Sequence, residues 1–156
     1  MGLRNIVFEG DPILKKKSRQ IEKIDDRLLT LIDDMKETLK KENGVGLAAV
    51  QVGVLKRVII VDIDGELTEL INPEIIEQSG HQEDVEGCLS CPGEYGITKR
   101  PMKVTVKALN KDGKEVKYTG EALTARCFCH EIDHLNGIIF KEKVIRMLDP
   151  SELQTD

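Results

Sequence analysis

Aromatic residues make up only 3% of the 156-residue sequence. A surface that stacks bases is therefore poorly supplied. The net charge is −5, and lysines and arginines are mixed with acids rather than clustered. A basic face for DNA or RNA is absent, so no direct nucleic-acid binding is expected. No apolar run approaches the roughly 18 residues that a membrane span needs. The amino end has no basic segment followed by an apolar one, so no secretory signal is expected. It begins Met1-Gly2, but Ile6 stands where a myristoylation site has Ser or Thr. These absences point to the cytoplasm. What remains is an ordinary globular composition, 40% hydrophobic and 33% charged, of a length for one domain with a proper core.

Periodicity gives the elements. Residues 1–24, with the Gly10-Asp11-Pro12 turn signal, read as an extended arm lying over the body. From Asp25, Leu28, Leu31, Ile32, Met35 and Leu39 recur at three and four residues, the period of an amphipathic helix. Asp25 or Asp26 caps its start and Asn43-Gly44 ends it. Val58 to Val61 predict a buried strand, Asp64-Gly65 a tight turn, and Glu66 to Ile71 the returning strand. Residues 73–100, rich in glycine and proline, read as irregular. Val104 and Val106 alternate with polar neighbours, and the turn at residues 110–113 leads to a partner strand around Val116 and Tyr118. The last helix is expected from about Glu121 to Asn136, apolar on much of its circumference and so largely buried. There is no internal repeat or linker. The expected fold is α+β, with antiparallel or mixed β-sheets packed around the buried C-terminal helix and a second, amphipathic N-terminal helix. Residues 1–156 are expected to form a single catalytic domain.

That last helix carries His130-Glu131-x-x-His134. Residues four apart share one helix face. Two imidazoles so placed grip one metal ion, and the intervening glutamate reaches a water on it. The plain alternative is two histidines satisfied in the core. A hydrolytic site takes three protein ligands and leaves one position open, and no histidine or cysteine follows His134. Thermolysin-type enzymes take their third ligand from a further helix, which little chain remains to build. The third ligand must come from upstream. Cys127 shares the stripe, but about 10 Å of rise separates it from His134, too far for bonds of about 2.0–2.3 Å to converge. Cys129 points about 100° away. Both read as small buried residues. Cys88, Cys91 and His81 remain open, with Gly87 favouring Cys88 because it lets the backbone approach closely. Cysteines in two close pairs, 88/91 and 127/129, read in a reducing compartment as metal-binding or catalytic.

Three stretches taken together, Gly44-Val45-Gly46-Leu47-Ala48-Ala49-x-Gln51, Glu86-Gly87-Cys88-Leu89-Ser90 and His130-Glu131-x-Asp133-His134, resemble the peptide deformylase family. They occur in the family's order, and Gly10-Asp11-Pro12-Ile13-Leu14 and the length fit as well. The resemblance implies one divalent metal held by Cys88, His130 and His134, with Fe(2+) native and Zn(2+) or Ni(2+) as substitutes. It implies Glu131 as general acid/base, and Gln51 with the backbone N–H of Leu89 as the oxyanion hole. Gly44, Val45, Gly46 and Leu47 would line the substrate. The reaction implied is hydrolysis of the N-formyl group from the starting methionine of new polypeptides, releasing formate, with the ribosome exit region as an associated partner. One departure is Cys129, where the family commonly has Gln. It is not a ligand position, but it bears on oxidation sensitivity. Asp133 and Arg100 are candidates for orienting groups around the metal or for plain ion pairs.

Two rival readings compete. Gly44-x-Gly46-x-x-Ala49 matches a dinucleotide-binding fingerprint, but a charged helix rather than a strand precedes it. A closed zinc module could use Cys88-x-x-Cys91 with Cys129, His130 or His134. It would have no open position and no use for Glu131.

Overall fold

The computed structural model describes residues 2–153. Helix α1 runs Asp26–Glu42, and the Asp25 carboxylate accepts from the Leu28 N–H at its start. Asn43 ends it in the left-handed region at φ 55°. Its predicted stripe, Leu28 to Leu39, is buried. Helix α2 runs Leu123–Leu135. It begins later than the sequence suggests, because Glu121 still pairs in a strand and Ala122, at φ 52°, makes the corner.

Among the described residues, eight strands follow one another as β1 Gly46–Ala48, β2 Val58–Ile63, β3 Glu66–Ser79, β4 Gln82–Cys88, β5 Cys91–Arg100, β6 Lys103–Leu109, β7 Glu115–Glu121 and β8 Val144–Met147. They form a five-stranded sheet in the order β1-β2-β3-β6-β7 and a three-stranded sheet in the order β4-β5-β8. Every ladder is antiparallel, and the parallel pairing among the described residues is an isolated bridge, Arg19 to Lys56. The β2–β3 hairpin turns at Asp64-Gly65, both at positive φ as a primed turn requires.

Residues 73–100 correct the sequence reading, for most of them are strand. Pro73 sits where the register of β3 against β6 shifts, a place where a missing N–H is tolerated. Gly80, at φ 71°, turns β3 into β4. Gly87 lies inside β4 because a Cβ there would come 2.5 Å from the Tyr95 ring. The glycines and prolines punctuate the strands here without abolishing them.

Helix α2 lies in the main core, with Phe128, Ile132 and Leu135 against Ile59, Leu70 and Val106. Helix α1 covers the other side of β1 and β2, against Leu47, Val58, Ile60 and Ile71. The amino-terminal arm is tied down by the Val7 N–H to the Gln51 carbonyl (2.7 Å) and the Glu9 N–H to the Ser90 carbonyl (2.9 Å). No helix among the described residues is long and apolar enough to cross a membrane.

Candidate metal centre

Three elements meet beside α2. The β4–β5 hairpin brings Cys88 at the end of β4, and the 3-10 turn Ala49–Val52 after β1 brings Gln51. Helix α2 contributes His130, Glu131 and His134, all buried. The donor atoms of Cys88, His130 and His134 lie within 4.8 Å of one another. The Cys88 Sγ is 3.3 Å from the His134 Nε2. Two donors on one tetrahedral ion at about 2.0–2.3 Å stand about 3.3–3.8 Å apart, so the spacing suits a shared ion. Cys91 is not in this set. It falls with Glu9 and Glu94 in a separate group, so the closed Cys88/Cys91 reading loses its fourth ligand. His81 is exposed between β3 and β4.

Beneath His130 lies a network in which sequence reasoning missed the part of Glu86. Glu86 Oε1 accepts a 2.6 Å bond from His130 Nδ1, which leaves Nε2 as the lone-pair nitrogen. Arg100 donates to both Glu86 oxygens, Nη2 to Oε1 at 2.7 Å and Nε to Oε2 at 3.2 Å. It also reaches Asp133 Oδ2 at 2.6 Å, and the Thr98 hydroxyl donates to Glu86 at 2.7 Å. Burial works against the Glu86 carboxylate, but the hydrogen bonds from His130 and Arg100 outweigh it and hold the group at about 2. Asp133 and Arg100, candidates from sequence, do meet, and Glu86 joins them. A metal-ligating histidine commonly gives its other N–H to a carboxylate, and that rule is the signal that could have found Glu86.

Glu131 faces the opposite situation. It is fully buried, and that burial raises its carboxyl to about 7. Among the described residues its Oε1 has no hydrogen-bond partner, and neither has the Nδ1 of His134. Buried polar atoms rarely go without partners, so an unpaired carboxylate oxygen 4 % exposed beside a thiol and two imidazoles fits a site that takes an ion and a water. Burial likewise drives His134 well toward its neutral, ligating form. Gly46 leaves the carboxylate its place, because a Cβ on it would stand 2.6 Å from Glu131 Oε2 and force that group to shift.

Gln51 is locked. Its Oε1 accepts from the Ala48 N–H at 2.9 Å, and its Nε2 donates to Ser90 Oγ at 3.2 Å and Cys88 Sγ at 3.4 Å. Leu89 sits in the β4–β5 turn, its side chain so close to Gly44 that a Cβ there would meet it at 2.9 Å. A cleft of about 610 Å³ opens over these groups, walled by Phe8, Val45, Tyr95 and Leu123 with Gly44 and Gly46 along its floor. Of the four residues expected along the substrate, Leu47 is fully buried in the core under α1 and does not line the cleft. Cys127 and Cys129 are buried, and that burial pushes their thiols up to about 12 and about 11. This agrees with their reading as small apolar residues.

A model of the polypeptide deformylase family matches residues 3–149. The chain is 54% identical over 154 residues to a peptide deformylase of Acetivibrio thermocellus, covering 99% of this chain and 91% of that one. It is 56% identical over 146 residues to one of Alkaliphilus metalliredigens, covering 94% and 99%. Among solved structures, a peptide deformylase from Legionella pneumophila superposes with a TM-score of 0.89 at 44% identity, over 97% of this chain and 89% of that one. One from Synechococcus elongatus, in complex with actinonin, superposes with a TM-score of 0.90 at 36% identity, over 96% and 82%.

Proposed function

The chain belongs to the polypeptide deformylase family, and from that premise we propose that Cys88, His130 and His134 hold one divalent ion, with Glu131 as acid/base and Gln51 and the Leu89 N–H at the oxyanion. The enzyme is a metal-dependent hydrolase of the N-formyl group on an amino-terminal formyl-methionine, releasing formate. The observation that carries the residue assignment is the convergence of a thiol and two imidazoles next to a buried carboxylate with an unpaired oxygen.

A divalent ion so held supplies Lewis acidity and brings the pKa of a water down to about 7. The chain's own residues do the rest. Glu131, raised by burial to about 7, takes a proton near neutral pH and returns it to the departing amine. Gln51, pinned through its Oε1 to Ala48, keeps its amide group in place, and the N–H that now points at Cys88 Sγ is the one to turn to the formyl oxygen as charge develops there. Glu86 orients His130, and Arg100 holds Glu86. Val45, Leu123 and Tyr95 give an apolar wall suited to a methionine side chain. Gly44, Val45 and Gly46, with the backbone of Leu47, offer the strand edge along which a peptide lies.

One thiolate and two neutral imidazoles form a soft, mixed donor set that accepts Fe(2+), Zn(2+) or Ni(2+), and we take Fe(2+) as the native ion. The reading extends to one catalytic domain over residues 1–156, acting in the cytoplasm on nascent chains near the ribosome exit. The test is elemental analysis of anaerobically purified protein with formate release from a formyl-methionyl peptide on the same sample. Wild type is expected to carry about one ion and to turn over. Glu131→Gln should keep the ion and lose about 10²–10⁴ in rate. Retained turnover in that variant removes Glu131 from its role.

A further inference from the structure

Cys91 is the one thiol of the Cys88-x-x-Cys91 pair that the site does not use. Cys88 closes β4, Cys91 opens β5, and the two are direct partners across the ladder with only Leu89 and Ser90 between them. Opposed residues of an antiparallel pair have Cα atoms about 4.5–5.5 Å apart, inside the range of about 4.4–6.8 Å that a disulfide spans. Both cysteines are free. Cys88 is half-buried and opens onto the cleft, whereas Cys91 lies beneath it, 2% exposed. On its far side Cys91 meets Glu9 and Glu94. Lys141 bridges those carboxylates at 2.8 and 2.9 Å, so that corner already holds its cation.

We infer that Cys88 and Cys91 form a peroxide-oxidised, thiol-reducible pair, in which Cys88 takes the oxygen and Cys91 resolves it. A hydroperoxide entering the cleft transfers one oxygen to the Cys88 sulfur, giving the sulfenic acid and water (or an alcohol). The Cys91 sulfur then attacks the Cys88 sulfur. The S–O bond breaks, and the hydroxide leaves with the Cys91 proton as water. A second peroxide would carry Cys88 irreversibly to the sulfinic acid, but that step is bimolecular. Cys91 is the direct cross-strand partner of Cys88, so resolution is intramolecular and favoured by proximity. The buried Cys91 side is closed to external thiols. A reducing dithiol must therefore attack Cys88 from the cleft, releasing Cys91 first and restoring both thiols by exchange. A sulfur bound in the disulfide is no longer a thiolate donor, so oxidation parks the enzyme instead of destroying it.

The test uses the zinc-loaded enzyme, whose ion does not itself change oxidation state, exposed to hydrogen peroxide, alkylated, and mapped without reduction. The expected product is a Cys88–Cys91 disulfide, about 2 Da lighter than the reduced protein and restored by dithiothreitol. Cys91→Ser under the same dose should gain about 32 or 48 Da at Cys88, and dithiothreitol should not reverse it. Wild type gathering those heavier products as fast as Cys91→Ser overturns the inference, as does a disulfide to Cys127 or Cys129. Should Cys91→Ser fail to fold, the wild-type map alone decides. A Cys88–Cys91 disulfide with the zinc still bound would uphold the pairing and instead remove Cys88 from the proposed ligand set.

Discussion

Replacing Glu86 by Gln keeps the shape of the side chain and an oxygen for His130 Nδ1, but removes the charge that Arg100 grips. Glu86 is 7% exposed, and its partners hold its carboxyl at about 2 against an ordinary 4.5. At about 1.4 kcal/mol per tenfold change, that gap is worth about 3 kcal/mol of folded-state stability. Its sign is fixed by the direction. A carboxyl depressed on folding contributes in full above its unfolded value of 4.5, and the contribution drains away as pH falls through 4.5 toward about 2. Glutamine behaves like the protonated acid at every pH. The variant should therefore be about 3 kcal/mol less stable than wild type at pH 7, with about half that deficit left at pH 3. The assay is urea unfolding of both proteins at the two pH values, with a chelator present so that bound ion does not weigh on the comparison. The variant should also bind metal about 10–100-fold more weakly, because a neutral amide oxygen accepts less strongly from His130 Nδ1 and leaves the ring a less basic ligand. An equal deficit at pH 3 and pH 7 would refute the electrostatic account and reduce Glu86 to a packing residue.

Cys88→Ala should lose most of its bound metal on purification while Cys91→Ala keeps it, and the opposite pattern in elemental analysis would reassign the third ligand. Gln51→Ala should lower kcat by about 10²–10³ with metal content unchanged. It also strips the Ala48 N–H of its acceptor, so denaturant unfolding should show a loss of about 1–3 kcal/mol. Gly46→Ala places a Cβ 2.6 Å from Glu131 Oε2. A displacement of about 1 Å in that carboxylate should lower kcat by about 10²-fold, and unchanged kinetics would mean that Glu131 works from a different position.

Helix α1 and the β6–β7 hairpin were legible because burial on one side writes a period into the sequence, while α2 and β2 showed as apolar stretches bounded by turn signals. The end of β3 and strands β4 and β5 were not. Their residues are mostly exposed or half-buried, so alternation is weak. What holds them is pairing with distant partners, such as Gln78 with Val104 and Gly96 with Met147, and propensity says nothing of that. The helical half of the site was readable from spacing alone, since His130 and His134 sit on one helix. Cys88 needed a resemblance, because local chemistry left Cys91 and His81 standing. Glu86 was unread for a related reason: its meaning depends on Arg100, His130 and Thr98, which only the closed fold brings to it.

The arm at residues 7–9 ends in two main-chain bonds, one to the turn bearing Gln51 and one to the turn following Cys88. Those two turns belong to different sheets, so this short piece of chain works as a splint across the joint between them, and Phe8 stands at the cleft rim as its visible edge. A protease that clipped the chain just after Glu9 would leave every chemically active side chain attached and yet let the joint gape. Trimming or redesigning the leading residues should therefore lower turnover of a formyl-methionyl peptide, even though none of them reacts.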